Sequence, residues 1–136
     1  MKNYRCAIVI SLFLFSLMSL AVAPVIANEF DVKEYDEFHD VLHPLQHEAL
    51  PAKDFKRIRS NAAELVKKGK AILGLGVPKG TSEERVEVFG SGLKKFATAL
   101  TKFSKQSKDG SDEQLELSFS EVHDSFEMLA GMLPRK

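Results

Sequence analysis

Three histidines stand four residues apart, His39, His43 and His47, and a fourth, His123, lies near the C-terminus; the chain has no others. In a helix, four-residue spacing stacks side chains along one stripe. Imidazole is the commonest side-chain ligand of transition metals and a standard axial ligand of haem iron. The chemistry these residues offer is therefore metal coordination. Asp36 and Asp40 lie beside His39, and Glu127 follows His123 by one turn, so each could add a carboxylate to a coordination shell.

Catalysis draws no comparable support. The one cysteine, Cys6, sits before an apolar N-terminal run, so the domain has no thiol nucleophile. There is no Ser-His-acid spacing. His47-Glu48 begins the His-Glu-x-x-His pattern of metalloproteases and lacks its second histidine. The expectation is a protein that is not an enzyme.

Four elements must position the histidines. Tyr35, Phe38, Leu42, Leu45 and Ala49 recur in steps of three and four, which predicts a helix from Val32 to Leu50, ended by Pro51. Phe55, Ile58, Ala62, Leu65, Gly69 and Ile72 predict a second helix to about Leu73, with Gly74 suited to its C-terminal cap. Thr81-Ser82-Glu83-Glu84 reads as a capping box opening a third. The apolar seam of that helix is Val86, Phe89, Leu93, Phe96, Leu100 and Phe103, and Gly90 and Gly92 inside it suggest a close helix crossing. Ser111-Asp112-Glu113-Gln114 is a second capping box. Leu115, Phe119, Val122, Phe126, Leu129 and Leu133 follow as the fourth seam, and Pro134 ends it. Met128 and Met132 point off that seam and read as gap-filling side chains. Short connections make neighbours antiparallel, so the expected fold is an all-α, up-down-up-down four-helix bundle.

In this topology His39 and His123 both take heptad e positions on adjacent antiparallel helices. Each lies roughly 17 Å from the same end of the bundle, at 1.5 Å per residue. They are expected to face one another as metal ligands. His43, one turn on and about 40° further round, is the third expected ligand if Pro44 kinks the helix inward. His47 drifts further toward solvent and is an additional candidate only.

The N-terminus carries a targeting signal. Lys2 and Arg5 precede an apolar run from Ala7 to about Ala23, and Val25-Ile26-Ala27 supplies a small-x-Ala cleavage pattern. Residues 1–27 are expected to be a secretory signal peptide and residues 28–136 a single exported domain, periplasmic or secreted. It has no membrane association once the signal is removed. Losing Lys2 and Arg5 from a chain with 19 basic and 19 acidic residues leaves a net charge of about −2, which argues against nucleic-acid binding. Without cysteine the domain has no disulfide and rests on its packed core. A homodimer is left open.

The third and fourth helices resemble the cytochrome c′ group, exported four-helix-bundle cytochromes that include a soluble b-type member. The resemblance is clearest from Phe96-Ala97-Thr98-Ala99-Leu100 through Asp109-Gly110 to Phe119-Ser120-Glu121-Val122-His123-Asp124-Ser125-Phe126. In that family the last helix carries Cys-x-x-Cys-His. Here His123 matches the histidine, while Phe119 and Val122 replace both attachment cysteines, so covalent haem is excluded. The resemblance implies a four-helix bundle. It also implies, as an alternative cofactor, a haem b held without thioethers by His123 and by His39, which falls near the place of the b-type member's methionine. That alternative would be an electron-transfer protein.

Three functions follow as expectations. The first is an exported protein binding zinc, copper or nickel through His39, His43 and His123. The second is a non-covalent haem protein. The third is a cofactor-free structural or partner-binding bundle.

Overall fold

A computed structural model describes residues 30–133. The signal sequence with its cleavage site, Cys6, and the stop at Pro134 lie outside the described residues.

The chain is all-α. Its elements are α1 (Lys33–Pro44), continued by a π-helical segment (Leu45–Ala49), then α2 (Phe55–Leu75), α3 (Glu83–Asp109) and α4 (Asp112–Ala130). Each helix packs on the next in sequence, as in an up-down bundle. Helices α1 and α4 meet through large rings, Tyr35 and Phe38 against Phe126. No described helix is long and apolar enough to cross a membrane.

Pro44 explains the break in the first helix. It has no amide to donate and its ring crowds the preceding turn. The ladder resumes in wider turns: Leu50 N–H donates to Leu45 O at 2.9 Å and Asp54 N–H to Ala49 O at 2.8 Å, both spanning five residues. Leu45 and Ala49 stay buried through this turn. The helix thus keeps its apolar face on the core without turning His43 inward.

Helix α2 begins at Asp54, whose carboxylate accepts the Arg57 amide at 3.0 Å. It runs one turn-half past the expected stop, and Gly76, with φ of 67°, takes the terminal role that the sequence suggests for Gly74. Ile58, Ala62, Leu65, Gly69 and Ile72 are buried as expected.

The capping box expected at Thr81 does not form. Ser82 is the N-cap of α3, and the Thr81 hydroxyl instead donates to Pro78 O at 2.8 Å, closing the preceding turn. Val86, expected on the seam, is 44 % exposed. Phe89, Phe96, Leu100 and Phe103 are buried. Of the two mid-helix glycines, only Gly92 serves a close approach: a Cβ there would lie 2.9 Å from a Leu129 methyl and 3.0 Å from the Met128 methyl. The box at Ser111 does form, with Gln114 N–H donating to Ser111 Oγ and Ser111 N–H donating to Gln114 Oε1. All six seam residues of the fourth helix, Leu115 through Leu133, are buried.

Arg59 ties three helices together. Its guanidinium donates to the carbonyls of Gln106, Ser107 and Gly110 at 2.9–3.1 Å and to the Asp112 carboxylate at 2.9 Å. Those carbonyls lie at the C-terminal end of α3, where helical acceptors run out of intrahelical donors; Gln106 O also accepts the Gly110 amide at 3.0 Å. At the α1–α2 connection, Lys53 adopts a left-handed φ of 54° and its ammonium reaches both oxygens of Glu116 on α4.

Candidate functional site

The first helix presents its histidines as a ladder. The ring centroids of His39 and His43 are 5.2 Å apart and those of His43 and His47 are 4.4 Å apart. The π-helical turn starts just after His43. A wider turn offsets the drift that an α-helix gives residues four apart, so His47 returns beneath His43. Both rings are exposed; His39 is half-buried.

His39 sits at the mouth of the aromatic core. Its ring stacks on Phe126 with 6.1 Å between centroids and 18° between planes, and the edge of Phe30 meets it at 5.5 Å. Phe30 is held there because its N–H donates to Asp36 Oδ1 at 2.7 Å. Asp36 is therefore a tether for the chain entering α1. Its other oxygen, Oδ2, is buried with no hydrogen-bond partner among the described residues.

His123 lies half-buried on α4, with Nδ1 3.1 Å from Asp124 Oδ1. The sequence expects it opposite His39. The structure brings Phe126, one turn further along α4, against His39. Asp40 and Glu127 are exposed. Met128 and Met132 direct their methyls at the space left by Gly92, which is the gap-filling role read from their off-seam positions. Among the described residues, no group of three or more His, Cys, Asp or Glu side chains is arranged to hold a metal ion. The histidine arrangement is thus a run of adjacent pairs along one helix rather than a closed cage.

Tyr35 borders the same region. Its ring is fully buried, 5.8 Å from Phe126, and its hydroxyl has no partner among the described residues. Burial pushes the phenol well above its ordinary range, so it stays neutral. An unmade buried hydrogen bond costs about 1–3 kcal/mol. Tyr35→Phe keeps the ring and removes the hydroxyl, and is expected to raise stability by about 1 kcal/mol. Urea denaturation checks this; a loss of similar size would show that the hydroxyl has a stabilising partner.

Sequence reasoning missed Phe30, because it precedes the first seam, and Arg59, because its acceptors lie some fifty residues away. No family model matches the chain, and no curated protein or solved structure matches it significantly, so no family is identified; the all-helical four-helix domain rests on the helices themselves.

Proposed function

We propose that this chain is an exported four-helix-bundle protein that captures a transition-metal ion, zinc, copper or nickel, on its first helix, with a binding rather than a catalytic role. The observation that supports this is the His43–His47 pair, two exposed imidazoles with centroids 4.4 Å apart. A tetrahedral ion with bonds of about 2 Å holds two nitrogens roughly 3.3 Å apart. Rotation of two rings at this spacing brings one nitrogen of each within that reach. Water or a carboxylate completes the shell, and His39 stands one turn away as a third donor. Export rests on the signal-like N-terminus.

The pairing of His39 with His123 draws less support, because Phe126 occupies the position beside His39. The same ring weighs against haem. Phe30, Tyr35, Phe38 and Phe96 all close on Phe126 with centroids 4.7–6.5 Å away. A porphyrin between His39 and α4 would have to displace that cluster, so these residues do not fit the group.

Thermal melts and calorimetric titration with zinc, copper and nickel test the proposal. Saturating metal should raise Tm, because a ligand that binds only the folded state stabilises it, by about 2.7 kcal/mol at a hundredfold excess over Kd. His43→Ala or His47→Ala should remove most of that gain, and His123→Ala should leave it intact. Acidification should release the ion, since protons compete for the nitrogens that hold it. Undiminished binding by the His43/His47 double alanine variant would refute the assignment.

A further inference from the structure

A second feature is a groove of about 460 Å³ between α2 and α3. Its floor is apolar, made by Val66, Leu73, Ala97 and Leu100, and its rim carries Lys70, Lys105 and Lys108. The depth has a local cause. Gly69 on α2 has no side chain, and Leu100 lies over it so closely that a Cβ there would be 2.5 Å from a Leu100 methyl. Leu100 therefore sinks into α2 and leaves the space above it open.

The charge of the rim is one-sided. Several other cations of the bundle are held in ion pairs: Lys53 with Glu116, Arg57 with Glu48, Arg59 with Asp112, Lys68 with Glu37 and Lys102 with Glu121. Lys70, Lys105 and Lys108 make no such ion pair among the described residues. Asp109 is the one carboxylate on the groove. The neighbouring groove between α3 and α4 differs, since its lining holds two lysines, Lys94 and Lys95, and two carboxylates, Glu121 and Asp124. That balance gives no preference for an anion.

We propose that the α2–α3 groove binds a free medium-chain fatty acid, with its carboxylate at Lys105 and Lys108 and its tail along Val66, Leu100 and Leu73. An apolar floor with a few convergent charged groups is the usual form of a small-molecule site. The stripe from Ala97 to Lys108 is roughly 16 Å long at 1.5 Å per residue, close to an extended chain of about twelve carbons. Ser104 adds a hydroxyl at the charged end. This site is independent of the histidines.

Calorimetry of the full protein with dodecanoate, dodecanol and dodecyltrimethylammonium, all below their aggregation limits, tests it. Dodecanoate should bind one to one, at least tenfold more tightly than the alcohol, with an affinity that falls as salt rises. The ammonium should not bind. Lys105→Glu with Lys108→Glu should weaken dodecanoate at least tenfold and leave dodecanol unchanged. Ala97→Phe, which fills the groove from its half-buried floor, should weaken both. The proposal is overturned if all three probes bind alike, if the double variant retains dodecanoate with its melting curve unchanged, or if no saturable binding occurs. Tighter binding of dodecyl phosphate than of dodecanoate would overturn the carboxylate assignment.

Discussion

Phe126→Ala is expected to destabilise the protein by about 3–5 kcal/mol, the range for removing a large buried aromatic ring. Phe126 is fully buried and is the ring on which the others converge: Phe38 at 4.7 Å, Phe30 and Tyr35 at 5.8 Å, His39 at 6.1 Å and Phe96 at 6.5 Å. It is also the main contact between the first and last helices, which the chain does not connect directly. Its loss therefore leaves a cavity and separates the two ends of the bundle. Urea unfolding should show a lower midpoint at nearly unchanged slope. Lys67→Ala, on the exposed face of α2, should change stability by no more than about 0.5 kcal/mol. A Phe126→Ala loss below about 1 kcal/mol would mean that the cluster is not closed around this ring.

The helical seams were legible because heptad periodicity is a local property. Ile58, Leu65, Ile72, Phe96, Phe103, Phe119 and Phe126 each fall on the core by spacing alone, and each is buried. The Ser111 box was legible for the same reason, since its four residues satisfy one another. Thr81 carries the same letters as a cap, yet its hydroxyl serves the Pro78 turn. Two local hydrogen-bonding solutions compete there, and sequence pattern does not rank them. Pro44 signalled a disturbance but not its form: a π-helical turn keeps Leu45 and Ala49 buried, which a simple inward kink would not.

The site was legible in its residue types and only partly in its arrangement. A heptad letter fixes the direction of a side chain round the helix. It does not fix how far that side chain reaches. His39 and Phe126 meet because a large ring spans the gap between α1 and α4, while His123, one turn back, keeps a local partner in Asp124. The ladder from His39 to His47 depends on a turn geometry that four-residue spacing does not specify.

The glycines give the second large effect, and magnitudes decide its sign. Gly90 has nothing within 4 Å of an added Cβ. Gly90→Ala should therefore gain the helix-propensity difference, up to about 1 kcal/mol. Gly69→Ala gains the same term but must move Leu100, whose methyls lie 2.5 and 2.8 Å from the new atom. Leu100 can swing into the groove beside it, so the two effects nearly cancel and the groove becomes shallower. Gly69→Leu has no such outlet, because the rest of the side chain meets both Leu100 and Phe38, whose Cε2 is already 3.2 Å from the added Cβ. Both neighbours are buried. Overpacking costs about 1–3 kcal/mol and at times more, and with two buried side chains displaced it exceeds the gain of about 1 kcal/mol from replacing glycine in a helix. Gly69→Leu is expected to lower the melting temperature while Gly90→Ala raises it. Parallel thermal melts of the two variants read both signs. A Gly69→Leu protein as stable as the parent would show that α2 does not approach α3 and α1 as closely as Leu100 and Phe38 place it.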